Sequence, residues 1–256
     1  MNSARSDVLR FAALALAMLV APADAHAEDG GDECYAPPSV MALGAPLQRT
    51  GDRLLRGLPV KIVAIGSSST AGIGASDAAH AYPQQLAAEL TRRFPASVVT
   101  VLNKGISGEQ TADMLARFGR DVIAEQPDLV VWQTGSNEIL QNGDPALFRG
   151  QVLDGLTRLK AAGIETILMD AQYAPRLLDN RDYRAFNDTL RGVASAANVA
   201  LLDRFEAMRF WLGPGHQPRS RMVAEDQVHM TDAGYRCIGR LLTSLIVADL
   251  PRIASR

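Results

Sequence analysis

Val60-Lys61-Ile62-Val63-Ala64-Ile65-Gly66-Ser67-Ser68-Ser69-Thr70-Ala71-Gly72-Ile73-Gly74 is the stretch on which the fold turns. An aliphatic, β-branched run without punctuation reads as a strand buried on both faces. The abrupt change at Gly66 to small and hydroxyl residues then marks a strand end whose backbone something must approach closely. Working outward, four more short runs of the same kind stand at 98–103, 129–133, 166–170 and 199–202.

Between these runs the apolar residues recur with helical period, at 82–93, 111–125, 145–161 and 182–197, with a last helix from Asp232 to about Ala248. Gly163 stands where a helix should stop, and Pro127 opens the approach to the third strand. Strands alternating with helices predict an α/β fold of three layers, α/β/α, around a five-stranded, mainly parallel sheet. The domain so predicted covers 59–256. Residues 28–58 are broken by Pro37, Pro38, Gly44, Pro46 and Gly51 and read as an irregular arm lying on it.

The net charge of -2, with positive residues dispersed, provides no basic surface for holding nucleic acid. Arg5 and Arg10, an apolar run at 11–20 and the small-residue triplet Ala25-His26-Ala27 have the pattern of a signal peptide cleaved near Ala27. The apolar run is short of the ~20 residues that cross a bilayer, so the expectation is a secreted or periplasmic protein with no membrane span in the mature chain. In an oxidising compartment Cys34 and Cys237 become candidates for a disulfide, with two unrelated thiols as the alternative, because spacing does not fix geometry. No Cys or His cluster of metal-binding type is present in the sequence, so neither a metal nor a cofactor is expected.

The turn at 66–74 lacks the Lys of a P-loop and the third glycine of a dinucleotide fingerprint. It is not the Gly-x-Ser-x-Gly elbow either, because Thr70 stands where the last glycine belongs. The second strand ends in Asn103-Lys104-Gly105-Ile106-Ser107-Gly108 and the third in Thr134-Gly135-Ser136-Asn137-Glu138. Near the C-terminus comes Glu225-Asp226-Gln227-Val228-His229, where an Asp three residues before a His can turn its carboxylate onto the imidazole. Of the other histidines, His26 lies in the leader. His80 and His216 read as surface residues of loops without an adjacent carboxylate.

Taken in order, Gly66-Ser67-Ser68, Gly105, Gly135-Ser136-Asn137-Glu138 and Asp226-Gln227-Val228-His229 resemble the four blocks of the SGNH hydrolases, also called GDSL esterases. The resemblance runs from about Val60 to the final helix and implies a flavodoxin-like fold. It implies Ser68 as nucleophile, His229 as base and Asp226 as the acid that orients it. It also implies an oxyanion hole made by the backbone N–H groups of Ser68 and Gly105 and the side-chain amide of Asn137.

Two positions depart from the family pattern. Ser67 occupies the place of the name-giving Asp, and Glu138 stands where Asp is more common. The first departure leaves three adjacent serines, Ser67, Ser68 and Ser69, among which the register from Gly66 selects Ser68. The expected activity is hydrolysis of a small acyl ester, such as an acetyl group on a carbohydrate or glycan. Acyl transfer through the same acyl-serine and glycan binding without catalysis are the alternatives.

Overall fold

The computed structural model describes residues 33–42, 44–248 and 250, so the leader at 1–27 and its cleavage site lie outside the described residues. Among the described residues, β1 (Met41–Ala42), β2 (Val60–Gly66), β3 (Val99–Gly105), β4 (Leu129–Gln133), β5 (Glu165–Met169) and β6 (Ala200–Leu202) form one six-stranded sheet in the order β1-β6-β5-β4-β2-β3. All pairs from β2 to β6 are parallel, and β1 runs antiparallel to β6. With β1 set aside, this is the flavodoxin-like doubly wound order. It has its switch point at β2, from which the chain proceeds first to β3 on one side and then to β4 on the other.

Every residue of β4 is buried, as are all of β2 but Lys61, which explains their uninterrupted apolar character. The edge strand β3 is only half-buried, and Val98 just before it is exposed. The helices are α1 (Gln48–Leu55), α2 (Ser68–Ala71), α3 (Tyr82–Arg93), α4 (Thr111–Asp121), α5 (Ser136–Leu140), α6 (Pro145–Ala161), α7 (Pro175–Leu178), α8 (Tyr183–Ala197), α9 (Arg204–Trp211), α10 (Arg219–Met222) and α11 (Asp232–Ile246). α3 packs on α11, while α6 packs between α4 and α8. No helix among the described residues is long and apolar enough to cross a membrane.

The sheet has one strand more than the sequence predicts, and the extra strand comes from the arm. Met41 and Ala42 pair with Leu202 and Leu201, too short a ladder to leave a period-2 signature among prolines and glycines. On either side of β1 the arm is tied down by backbone bonds from Asp203 to the Val40 carbonyl and from Ala45 to the Asn198 carbonyl. α1 follows, with the Thr50 N–H and hydroxyl bonded to Glu165 at the start of β5. Cys34, Val40, Leu47 and Leu54 join the same hydrophobic core as the sheet. Cys34 is bonded to Cys237 of α11, with an S–S distance of 2.01 Å.

The helix predicted over 111–125 is also shorter. α4 stops at Asp121, and a single 3-10 turn, Ile123–Glu125, follows. Gln126 then takes the left-handed region at φ 50° and turns the chain back toward β4.

Candidate active site

β2 delivers the chain to Gly66, and α2 starts two residues later with Ser68 at its first position. The three adjacent serines face different ways. Ser67 and Ser69 are each 1% exposed, so neither can meet a substrate. Ser67 donates its N–H and hydroxyl to Gln133 Oε1 at 3.0 and 3.2 Å, and Thr70 Oγ1 donates to the same oxygen at 3.1 Å. The place of the family's Asp is thus occupied by a serine that points inward and fastens the turn to β4. Ser68 is half-buried, and its Oγ lies 2.7 Å from His229 Nε2.

His229 stands on the approach to α11. Its Nδ1 is 2.5 Å from Asp226 Oδ2, while Asp226 Oδ1 accepts the backbone N–H groups of Val228 and His229, each at 2.9 Å. Gln227, at φ 60°, makes the tight turn that brings the carboxylate back onto the ring. Partial burial works to raise the Asp226 carboxyl, but the bonds from the His229 ring and from the two backbone N–H groups outweigh it and hold the group below its ordinary value.

A buried polar chain joins the two halves. Gln133 Nε2 donates to Ser136 Oγ at 3.4 Å, Ser136 Oγ to Gln172 Oε1 at 2.8 Å, and Gln172 Nε2 to the carbonyl of Val228, next to His229, at 3.0 Å. The fully buried Arg204 donates to Gln172 Oε1 at 2.8 Å, and so braces this chain from below.

Asn137 is in the first turn of α5, at the end of β4 and across the switch point from Ser68. Its Nδ2 donates one hydrogen to the carbonyl of Glu109 at 2.7 Å, which leaves the second amide hydrogen for another acceptor. Glu138 beside it serves α4: its Oε1 accepts the N–H and the hydroxyl of Thr111, each at 2.5 Å.

The structure corrects the expectation for Gly105. Its N–H is engaged by Asn103 Oδ1 at 2.9 Å. The cause lies in the ladder. Gly105 pairs with Gly66 while Ile106 donates to the Gly66 carbonyl, so the Gly105 N–H points away from β2, along the open edge of the sheet. Gly105 is required for packing instead, because a Cβ there would lie 2.1 Å from the backbone nitrogen of Ala71.

The second glycine of the same loop has the properties that Gly105 lacks. Gly108 sits at φ +85°, has open space where a Cβ would be, and its N–H donates to no acceptor among the described residues. It immediately precedes Glu109, whose carbonyl holds Asn137. The sequence reading missed Gly108, although it stands in the same Gly105-Ile106-Ser107-Gly108 run, because only the ladder distinguishes the two glycines.

His80 also departs from expectation. Its Nδ1 lies 2.9 Å from Asp77 Oδ1 and 3.1 Å from Ser76 Oγ, so it does have an adjacent carboxylate. Both partners share one ring nitrogen, which leaves no relay through the ring. His216 Nδ1 lies 2.8 Å from the carbonyl of Phe210.

The doubly wound sheet is that of the SGNH hydrolases, and on it Ser68, His229 and Asp226 stand in hydrogen-bonding order. Residues 33–252 match the family described as Non-GDSL lipase-like, and the chain belongs to that family. Esterase TesA of Pseudomonas aeruginosa is 30% identical over 109 residues, a match covering 41% of this chain and 52% of the relative. The match thus spans about half the length of that relative. Two solved structures share the fold. A two-domain esterase (CEX) active on acetylated mannans superposes with a TM-score of 0.67 at 19% identity, over 82% of this chain and 54% of that one. Axe2, an acetylxylan esterase from Geobacillus stearothermophilus, superposes with a TM-score of 0.64 at 24% identity, over 77% of this chain and 97% of that one.

Proposed function

We propose that the protein is a carboxylic ester hydrolase that removes a small acyl group through an acyl-serine, and that its substrates are acetyl esters of a carbohydrate. The observation that carries the reading is the pair of hydrogen bonds from Ser68 Oγ to His229 Nε2 at 2.7 Å and from His229 Nδ1 to Asp226 Oδ2 at 2.5 Å. A serine hydroxyl becomes nucleophilic when a base within this reach takes its proton. In the proposed cycle Ser68 Oγ attacks the ester carbonyl as its proton passes to His229 Nε2, and Asp226 balances the imidazolium. The tetrahedral intermediate collapses, and the leaving alkoxide takes the proton from His229. Water then attacks the acyl-serine, giving a proton to His229 that returns to Ser68 as the acid departs.

We assign the oxyanion to the N–H groups of Ser68 and Gly108 and the second amide hydrogen of Asn137. In support, the two backbone groups donate to no acceptor among the described residues, and the carboxamide donates without adding charge. The carbohydrate substrate is supported by the two fold relatives whose names carry acetylated mannan and acetylxylan. The Cys34–Cys237 disulfide supports action outside the cytoplasm, where such bonds persist.

The test is release of acetate from acetylated xylan and mannan, beside cleavage of p-nitrophenyl acetate. Ser68→Ala is expected at background on all three, and full turnover in that variant overturns the nucleophile. Asn137→Ala is expected to fold and to lose about 10²–10³ in kcat. Cleavage of the p-nitrophenyl ester alone, with no acetate from either glycan, overturns the carbohydrate part of the reading.

A further inference from the structure

Arg117 of α4 is 7% exposed, and its guanidinium reaches three separate parts of the site. Its Nε donates to Glu109 Oε1 and Oε2 at 2.9 and 2.8 Å, and its NH2 to Glu109 Oε2 at 2.5 Å. The same NH2 donates to the carbonyl of Lys104 at 2.9 Å and, at 3.4 Å, to that of Gly66. NH1 is held by Asp121 Oδ2 at 3.1 Å.

Two of these contacts, Glu109 and Gly66, lie within two residues of a proposed oxyanion donor. Gly66 ends the strand that delivers Ser68. Glu109 follows Gly108 directly, and its carbonyl accepts Asn137 Nδ2 at 2.7 Å. The Glu109 N–H in turn bonds the Ile106 carbonyl at 3.4 Å and closes the loop that carries Gly108.

We propose that Arg117, through its ion pair with Glu109, is a positioning residue that sets the oxyanion hole by fastening the Gly108 loop, and with it the Asn137 amide, to the strand end that carries Ser68. The proposal rests on the reading of Ser68, Gly108 and Asn137 given above. An oxyanion hole acts only if its donors are in place before charge develops, and a displacement of about 1 Å can cost about 10² in rate. The planar fork of an arginine suits the task, because it bonds a carboxylate bidentately while reaching two carbonyls. A lysine's single ammonium cannot span the same set.

The test compares Glu109→Gln and Arg117→Lys with the unaltered chain, using p-nitrophenyl acetate turnover and phenylboronic acid binding. Boronic acids add to the serine oxygen as tetrahedral adducts, so their affinity reports on the hole. Glu109→Gln keeps the backbone carbonyl that holds Asn137 and removes only the charge that Arg117 grips. Both variants are expected to lose about 10- to 100-fold in kcat at unchanged KM, and to lose boronate affinity by the same factor. The acid limb of their pH profiles should stay where it is, because the His229–Asp226 pair is untouched.

Full kcat in both variants overturns the proposal, as does a fall in kcat with boronate affinity intact. If Arg117→Lys does not fold, Glu109→Gln decides alone; failure of both to fold assigns the cluster to stability and overturns the proposal too. An unaltered chain that neither cleaves esters nor binds the boronate overturns the esterase reading and this one together. Loss of turnover in Ser68→Ala with none in the Arg117 and Glu109 variants overturns this one alone.

Discussion

Ser68 differs from Ser67 and Ser69 in direction, not in chemistry. Its neighbours are sealed in the core, whereas Ser68 opens α2 with its Oγ at His229. Asp226 bears on the pH response through its depressed carboxyl. Its carboxyl is held below the usual carboxylate value by the hydrogen bonds it accepts, against the effect of partial burial, so its charge persists to lower pH than that of an ordinary carboxylate. Under the proposed mechanism, the pH profile should therefore show no separate step from protonation of Asp226 where ordinary carboxylates titrate. A plot of log kcat/KM against pH is expected to have an acid limb of unit slope. A limb of slope two would mean that Asp226 is also protonated in that range, contrary to this account.

At the scale of elements, α4 carries more than its share of the electrostatics. Its N-terminus is closed by a reciprocal box, Gln110 with Asp113, and by Glu138 on the Thr111 N–H. Near its end Asp121 binds Arg120 and Arg117. The hydrogen bond from Arg120 is the main reason that the Asp121 carboxyl sits at about 2; partial burial opposes it, and Arg117 adds to it. Because the folded value lies below the unfolded one of about 3.9, the contribution to stability is present above about pH 4 and is lost as pH falls toward 2. Thermal melts of Asp121→Asn should show a lower Tm than the unaltered chain at neutral pH, with the two curves converging by about pH 2. A constant gap down to that pH would remove Asp121 from the acid response.

For the whole molecule, the disulfide closes a loop across 203 positions of sequence and anchors the arm to α11. Glu33, next to Cys34, is also paired with Arg221 and Arg236, so the start of the arm is held by charge as well as by the covalent bond. Joining two distant points of the chain removes freedom mainly from the unfolded state, which typically stabilises by about 2–5 kcal/mol. Cys34→Ser with Cys237→Ser is expected to lower the denaturant midpoint and to steepen the slope, because the opened unfolded chain exposes more surface, with kcat on p-nitrophenyl acetate little affected. An unchanged midpoint would show that β1 and the ion pairs of Glu33 suffice to hold the arm.

By itself the sequence determined the layered α/β fold, because β2 and β4 are buried through nearly their whole length and α3 and α6 carry long uninterrupted helical periods with matching ends at 82–93 and 145–161. The proposal of Ser68, Asn137, Asp226 and His229 as site residues came from the resemblance of their blocks to those of the SGNH hydrolases, not from local pattern alone. Tertiary structure alone decided the rest. β1 exists only because β6 offers an edge to two residues of the arm. Gly105 and Gly108 are equivalent as letters, and become different only when pairing with β2 turns one N–H outward onto Asn103. The role of Arg117 is likewise invisible along the chain, since it arises from three strand and loop ends meeting one guanidinium in the interior. The physical reason is common to all three: local pattern fixes which residues are apolar and which are polar, whereas the direction of a given N–H or guanidinium is set by neighbours far away in sequence.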